Sequence, residues 1–194
     1  MVVFVPIVEG QGEVQAVPNL LHRIVQSVRP ELAVRVNPPI RVKAGSFLQD
    51  AEYFRRQVAL AAAKAAQSQG HVLILLDCED GCPATLGPEL LRRARATRGD
   101  VSYLVCLVSR EYETWFVTAA ESLQGCCGLP ANLAPPQDPE QIRGAKEWLS
   151  RHMPYPYDPI LHQLDLTRVF DLREAQANHS FRRLVQKIHT VLSA

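Results

Sequence analysis

Acidic side chains follow two strand-like segments of the chain, and their spacing suits a hard metal ion. Glu9 comes directly after the apolar run 2–8, Asp77 ends the second strand-like run 71–77, and Glu79 follows two residues later. Residues two apart in an extended segment point to the same side, so Asp77 and Glu79 can share one cation. Mg²⁺ prefers such carboxylate oxygens, and Mn²⁺ accepts the same ligands. We therefore expect a divalent metal site at this point.

The same carboxylates also have a plainer interpretation. Asp77 or Asp80 can cap the helix that follows, and Glu9 can lie in a solvated turn. Several like charges in one place are costly, however, unless a cation or a raised pKa relieves the repulsion. Metal binding is the simpler relief, and either Glu79 or Asp80 can serve as the second ligand beside Asp77.

A mostly parallel sheet is the element that brings these strand ends together, because the carboxyl ends of parallel strands meet at one edge. Apolar, β-branched runs alternate with helical stretches, which is typical of an α/β fold with helices on both faces. We expect about four strands in a Rossmann-like core over residues 1–125, and a helical C-terminal extension over 126–194 that packs on it. The predicted strands are 2–8, 32–36, 71–77 and 101–108, and the predicted helices are one ending before Pro30 and those at 47–69, 88–97, 111–123, 138–152, 160–170 and 179–192.

Composition limits the class of protein. The 194 residues are 47% hydrophobic, enough for one substantial core, and 21 basic residues against 20 acidic ones give no overall attraction to nucleic acid or to a membrane. No apolar run approaches the length of a membrane span. The five cysteines show no disulfide framework, so we expect a reducing, cytoplasmic location.

Two glycines after the first strand suggest a dinucleotide-binding turn, but the pattern is incomplete. Gly10 and Gly12 are present, whereas Gln15 stands where the third glycine belongs. Glu9 and Glu13 would repel a pyrophosphate. We reject that function and interpret the glycines as a means of turning the backbone sharply after Glu9.

Further acidic residues follow the fourth strand. Glu111 and Glu113 lie near the same predicted sheet edge, and Glu113 is the better candidate for an additional metal ligand. Alternatively, both mark the start of a helix, where negative charge is favourable. We expect Trp115 and Phe116 to anchor the core, and Ser180 to cap the last helix.

Arg92, Arg95 and Arg98 recur every three residues on the helix predicted after the acidic pair. Such a stripe can follow a nucleic-acid backbone near the metal. It is equally typical of an ordinary solvated helix face. The stripe is therefore a candidate nucleic-acid contact with a plain alternative.

The chain resembles a known family in four stretches, namely Val8-Glu9-Gly10-Gln11-Gly12-Glu13, Leu76-Asp77-Cys78-Glu79-Asp80 with Cys82-Pro83, Arg110-Glu111-Tyr112-Glu113-Thr114-Trp115-Phe116, and Ser180-Phe181. The strand-end glutamate and the acidic pair resemble the Toprim domain of topoisomerases, bacterial primases, recombination-repair proteins and overcoming-lysogenization-defect nucleases. Over nearly its whole length the chain resembles bacterial family 4276 of the domains of unknown function, which is regarded as Toprim-like. The resemblance implies a Toprim-type sheet.

The Toprim resemblance implies roles for the carboxylates. Glu9 would act as general acid and base, while Asp77 and Glu79 would hold Mg²⁺ during phosphodiester cleavage. Glu79 departs from the family pattern, where two aspartates are usual, which leaves Asp80 as an alternative ligand. None of the tyrosines lies in a nucleophile motif, so hydrolysis is favoured over strand passage.

Two functions of different classes follow from this resemblance. The first is a Mg²⁺-dependent nuclease that acts on DNA or RNA, grips nucleic acid weakly by itself and works with an ATPase encoded nearby in phage defence. The second is a non-catalytic module that serves an ATPase complex as a scaffold. A homodimer is compatible with both functions.

Overall fold

Five β-strands and eight α-helices occur in residues 1–78 and 81–193, which are the residues that the computed structural model describes. The strands are β1 (Val2–Val8), β2 (Val34–Val36), β3 (Ile40–Arg41), β4 (His71–Cys78) and β5 (Ser102–Ser109). The helices are α1 (Glu13–Val28), α2 (Ala44–Gln49), α3 (Ala51–Ala66), α4 (Pro83–Thr97), α5 (Thr114–Thr118), α6 (Ala145–His152), α7 (Pro159–Val169) and α8 (His179–Leu192).

All strand pairs in the sheet are parallel, in the order β2-β1-β4-β5, and β3 pairs with β1 beyond the end of β2. The expected α/β fold with a parallel sheet is thus confirmed, with five strands where the sequence predicts about four. The additional strand is β3, which is only two residues long. So short an element has no periodicity of its own, and its pairing to β1 depends on tertiary contacts.

Helices cover both faces of the sheet, as the continuous apolar runs predict. The side chains of each buried strand alternate between two hydrophobic cores. On one face, α1 and α5–α8 pack in a first core with residues such as Phe4, Leu73 and Trp115. On the other face, α2–α4 pack in a second core with residues such as Phe47 and Ile74. Trp115 and Phe116 are fully buried, so the prediction that they anchor the core is confirmed.

Two predicted helices have different bounds in the structure. The single helix expected over 47–69 is divided at Asp50, whose extended backbone ends α2 and whose carboxylate accepts hydrogen bonds from the amides of Glu52 and Tyr53 to begin α3. The helix expected from Pro88 already starts at Pro83, so Pro88 lies inside α4. The predicted start at Pro88 is wrong because proline occurs both in the first turn of a helix and at a kink inside one.

The first two helices after β5 are shorter than predicted, whereas α7 and α8 lie within one residue of the predicted ranges 160–170 and 179–192. Over 111–123 the α-helix is limited to α5, with a 3₁₀ turn after it, and over 138–152 the α-helix begins only at Ala145. Gly144 adopts the left-handed conformation, with φ of 76°, which interrupts the helical path before α6. The last helix is capped by Asn178, and the expectation that Ser180 caps it is wrong, because Ser180 already lies within α8.

The C-terminal third of the chain is part of the first core. Leu129, Trp148 and Leu166 pack with β-strand residues such as Leu104, and α8 packs directly on β5. Side chains from before and after residue 125 therefore exclude water from the same space. Among the described residues, no helix has both the length and the apolar character that a membrane span requires.

Candidate functional site

The sheet places Glu9 and Asp77 beside a switch in chain direction. The chain leaves β1 through α1 toward β2, but it leaves β4 through α4 toward β5, on the other side. Since β1 and β4 are neighbours, a crevice opens between their carboxyl ends, where ligands bind in open α/β sheets. Glu9 immediately follows β1, and Asp77 is the penultimate residue of β4.

The loop that carries Glu9 is held by another carboxylate. The amide of Glu9 donates to Oε2 of Glu13 at 3.1 Å, and the amide of Gly10 also donates to this carboxylate. Glu13 is buried at the first position of α1. Its negative charge lies where the free N–H groups of the helix start favour it, so Glu13 fixes the loop from beneath.

Asp77 is fixed by the turn that follows β5. One carboxylate oxygen, Oδ1, accepts a hydrogen bond from the amide of Tyr112 at 3.0 Å. This contact joins the ends of β4 and β5 at the site. Asp77 therefore does not cap α4, whose first turn has Cys82 at the capping position and no side-chain cap.

Glu113 is the most deeply buried acid of the group, with only 1% of its surface exposed. Its Oε1 accepts from the hydroxyl of Tyr157 at 2.9 Å and from Nε2 of Gln163 at 3.4 Å. Its Oε2 has no hydrogen bond, although Nζ of Lys146 lies 3.4 Å away as an ion-pair partner. One buried carboxylate oxygen is thus incompletely satisfied.

Glu111 and Lys146 link the acidic residues to helix α6. Oε2 of Glu111 accepts from the amides of Ala145 and Lys146, so Glu111 caps α6 from a distant part of the chain. Its Oε1 accepts from Nζ of Lys146 at 3.1 Å. The Lys146 ammonium therefore bridges Glu111 and Glu113, and only Glu113 of these two acids faces the crevice.

A cavity of about 380 Å³ lies at the carboxyl edge of the sheet and is lined by most of these side chains. Among residues 1–78 and 81–193, no three His, Cys, Asp or Glu side chains already form a group that could hold a metal ion. The described carboxylates surround the space without enclosing one coordination point. The cavity is lined by Glu9, Gly10, Gln11, Glu13, Arg41, Asp77, Glu113, Lys146, Asp158, Pro159, Ile160 and Gln163.

Burial, and to a smaller extent the crowding of acids, raises the pKa values of these carboxyl groups. Burial raises the pKa of Glu13 to about 7, against the opposing effect of its two amide hydrogen bonds. Burial, together with the charges of Glu13 and Glu113, raises the pKa of Asp77 well above its usual range. Burial also raises the pKa of Glu113, and the Lys146 ammonium limits that rise. A cation in the cavity would favour the charged form of all three.

The pKa of Lys146 is also raised, which for an ammonium group means that the charged form is favoured. Burial alone lowers the pKa of its ammonium, but the charges of Glu113 and Glu111 outweigh burial, and the net pKa is raised. Lys146 is therefore a permanent cation at one wall of the cavity. It neutralises part of a cluster that also contains Glu9, Glu13 and Asp77.

The structure thus brings together three of the predicted site residues, Glu9, Asp77 and Glu113. The predicted ligands Glu79 and Asp80 lie outside the described residues.

The arginine stripe does not line the cavity. Helix α4 starts near the carboxyl edge of the sheet and runs toward the opposite edge, so its later residues lead away from the site. Arg92 forms a bidentate ion pair with Glu89, and Arg98, just beyond the helix, forms one with Asp100. Arg95 is exposed in the last turn of α4. This arrangement is that of a solvated helix face rather than of a surface beside the cavity.

Four residues of the site are not predicted from the sequence, namely Glu13, Gln163, Lys146 and Tyr157. For the first two, the spacing to neighbouring apolar residues indicates a buried position. Glu13 precedes Ala16 and Val17 by three and four residues, which places it on the apolar face of α1. Gln163 has the same spacing to Leu166 and Thr167 on α7. A polar residue on a buried helix face requires a partner or a function. Lys146 and Tyr157 had no local signal, because their roles depend on long-range packing.

The absence of a side chain at Gly12 allows α7 to approach the site closely. An added Cβ at this position would lie 2.2 Å from Oε1 of Gln163 and 2.3 Å from the carbonyl oxygen of Pro159. The backbone φ of Gly12 is −65°, so glycine is required for close approach and not for an unusual turn. The first turn of α1 thereby packs directly on the first turn of α7.

The chain matches the model of one protein family over most of its length. The family model described as a domain of unknown function, DUF4276, covers residues 8–189. No curated protein and no solved structure matches the chain. Since the matched segment includes the strand-end acids, the cavity and all helices that enclose it, the protein belongs to the DUF4276 family.

Proposed function

We propose that the protein is a Mg²⁺-dependent nuclease or related phosphodiester-processing enzyme of Toprim type, with its active site in the acidic cavity. The observation that carries this proposal is the convergence of Glu9, Asp77 and Glu113 from three neighbouring strand ends on one cavity. This is the arrangement that the Toprim resemblance predicts for a glutamate and a metal-binding acid. The substrate is DNA or RNA.

The donor set of the cavity fits a hard divalent cation. Oε2 of Glu113 is buried without a hydrogen bond, and burial with mutual repulsion raises the pKa of Asp77. Both features are relieved by a cation that accepts oxygen ligands. Asp77 and Glu113 would hold the ion, together with Glu79 or Asp80. Bound Mg²⁺ would polarise a phosphoryl oxygen and activate a water molecule.

Glu9 is suited to proton transfer rather than to metal binding alone. Its side chain lines the cavity and is half-buried, so solvent can reach it. Its backbone is fixed by Glu13 and by Arg41, whose Nε donates to the Glu9 carbonyl at 3.1 Å. A carboxylate on so firmly held a loop can take a proton from water and return one to a leaving oxygen. Glu9 is therefore the proposed general acid and base.

The test is hydrolysis of labelled single-stranded and duplex DNA and RNA in Mg²⁺ or Mn²⁺. Glu9→Gln and Asp77→Asn should each reduce the rate by about a hundredfold or more. Asp165→Asn is the matched control, because this exposed acid pairs with Arg168 on α7, away from the cavity, and should leave the rate unchanged. Equal rates in all four proteins would refute the proposal and indicate a contaminating nuclease.

A non-catalytic role is the second candidate, and one observation favours it. Lys146 already neutralises Glu111 and Glu113, and the described residues contain no preassembled group of three metal-binding acids. A domain of this kind would serve an ATPase complex as a scaffold. Calorimetry separates the candidates, since a scaffold binds the ATPase without binding Mg²⁺, and Asp77→Asn would leave its affinity for the ATPase unchanged.

A partner ATPase, encoded nearby, also belongs to the catalytic proposal. The chain carries 21 basic and 20 acidic residues, and the cavity itself is acidic, so nucleic acid is held weakly by this protein alone. The ATPase would supply the missing affinity in phage defence. Addition of the ATPase and ATP to the assay should raise the rate for wild type and not for Glu9→Gln.

A further inference from the structure

The outer edge of β5 ends the sheet. In the described residues β5 pairs only with β4, through the register His71 with Ser102 to Cys78 with Ser109. The outward N–H and C=O groups of this eight-residue strand therefore have no strand partner. A long, apolar strand edge is a template for pairing with another chain unless it is covered.

A groove of about 480 Å³ lies beside this edge. Three consecutive residues of the strand, Val105, Cys106 and Leu107, contribute to its floor. Successive strand residues point to opposite faces of a sheet, so a groove that contacts all three follows the edge of the strand rather than one face. Helix α4 forms one wall and helix α8 the other.

The α4 wall is apolar and leaves room for a side chain of a bound partner. Its groove residues are small or cyclic over the first two turns, with only Leu91 as a long side chain. Pro88 lacks an N–H group and cannot donate to the carbonyl of Ala84, four residues earlier. Both residues line the groove. The α4 residues of the wall are Pro83, Ala84, Gly87, Pro88 and Leu91.

The α8 wall is basic. Arg183 and Lys187 are one turn apart, exposed and directed to the same groove. Neither has a hydrogen-bond or ion-pair partner among the described residues. Their charges reach the strand, because both lower the pKa of the buried Cys106 thiol against the rise caused by its burial. Two unneutralised cations on one wall favour carboxylates in the groove.

We propose that this groove binds an extended segment of another protein, in which acidic and apolar residues alternate, as an added strand on β5. Alternate side chains of such a strand would face opposite walls, the acidic ones toward Arg183 and Lys187 and the apolar ones toward α4. Main-chain hydrogen bonds to the β5 edge supply affinity, and the two walls supply specificity. This binding surface is separate from the acidic cavity.

A second copy of the chain fits the groove less well. Antiparallel pairing of two β5 strands about a two-fold axis places the same helix of each copy side by side. Arg183 and Lys187 of both copies would then face one another, and like charges in contact oppose association. An acidic partner meets no such repulsion.

The probe is an N-acetylated, C-amidated octapeptide in which Val and Glu alternate, titrated into the full-length ¹⁵N-labelled protein. We expect shifts of the Val105, Cys106 and Leu107 amides, slower hydrogen exchange along β5, and affinity that falls as salt increases. A peptide with the same composition in two blocks should bind about tenfold more weakly, and N-methylation of alternate peptide amides should abolish binding. Equal binding of the alternating, block and N-methylated peptides would overturn the proposal.

Charge reversal tests the basic wall. The double substitution Arg183→Glu with Lys187→Glu should lower the affinity for the acidic peptide by at least about tenfold. It should also create affinity for the matched peptide in which Val and Lys alternate. The control is Arg35→Glu with Arg151→Glu, which makes the same change in net charge on β2, at the other sheet edge, and on α6. Undiminished binding of the acidic peptide to the first variant would overturn the proposal. So would concentration-dependent dimerisation through β5 that excludes the peptide, because a second copy would then be the occupant of the groove.

Discussion

The amide of Glu9 donates a 3.1 Å hydrogen bond to Oε2 of Glu13, so that one cavity acid holds the backbone of another. This bond persists only while Glu13 stays in place beneath the loop. Glu13 is buried and lies close to Glu9 and Glu113, so the ionised form of its carboxyl group is unfavourable.

Stability of the metal-free protein should decrease as pH rises from about 4.5, the ordinary pKa of glutamate, to about 7, the pKa of Glu13. Glu13 binds more protons in the folded protein than in the unfolded chain over this window, so its titration favours unfolding as the pH rises. Asp77 and Glu113, whose pKa values are also raised, act in the same direction. Glu13→Gln should reduce the slope in urea unfolding measured with a chelator present. The exposed Glu121→Gln should not, and a wild-type stability that rises across this window would contradict the prediction.

Asp77→Asn should stabilise the metal-free protein and remove its response to Mg²⁺. The substitution relieves repulsion with Glu13 and Glu113 while the amide oxygen still accepts from Tyr112. Wild type should gain about 1–3 kcal/mol in saturating Mg²⁺ by preferential binding to the folded state. Thermal unfolding with and without Mg²⁺ measures both effects. Asp165→Asn should behave as wild type, and a Mg²⁺ response retained by Asp77→Asn would remove this residue from the ligand set.

Lys146→Met should raise the pKa of Glu113 further. The Lys146 ammonium at 3.4 Å opposes the effect of burial on this carboxyl, and its charge also acts on Asp77. The side-chain carboxyl resonance of Glu113, followed by ¹³C NMR, should titrate at higher pH in the variant. Lys64→Met, on α3, is the matched control. An unchanged titration of Glu113 would mean that the ion pair contributes little in solution.

Gly12→Ala should destabilise the protein by about 2–4 kcal/mol, because the new methyl group would overlap the carbonyl oxygen of Pro159 and the side chain of Gln163. Gly45→Ala provides the contrast, since no atom lies within 4 Å of the added Cβ and alanine favours the helix α2. That variant should gain up to about 1 kcal/mol. Urea unfolding measures both. Equal effects of the two substitutions would show that the contact between α1 and α7 is not tight.

Asn178→Ala should cost about 2–3 kcal/mol, more than an ordinary helix cap. The buried Oδ1 of Asn178 accepts from the amides of Ser180 and Phe181 and from the Ser180 hydroxyl, which in turn accepts from Nε1 of Trp115. Asp50→Ala removes an exposed cap and should cost about 1 kcal/mol. Urea unfolding compares the two. A smaller loss at Asn178 than at Asp50 would contradict a cooperative buried network.

The central part of the fold is predictable from the sequence because its strands are continuous apolar runs. Residues 72–76 are apolar without interruption, and the structure extends the predicted strand 71–77 by one residue as β4. The break at Asp50 was missed because the flanking residues are good helix formers, and only the side-chain cap reveals where α3 begins. The two-residue β3 and the late start of α6 depend on pairing and on the backbone of Gly144.

The candidate site was predicted in part for a similar reason. Glu9 and Asp77 were found because strand ends in a parallel sheet converge by rule, and Glu113 was placed near the same edge. Tyr157 and Lys146 reach Glu113 from segments more than 30 residues later in the chain. No local pattern encodes such a contact, since it exists only after α6 and α7 pack on the first core.

The order of the site residues along the chain has a consequence for protein synthesis. Glu9, Glu13 and Asp77 emerge from the ribosome before Glu113, and the groups that bury and neutralise it, Lys146 and Tyr157, emerge later still. A nascent chain that ends before α6 therefore carries the acids without their counter-charge and with one side of its apolar interior uncovered. The cavity is completed only when translation of the C-terminal helices allows them to dock on the rest of the chain.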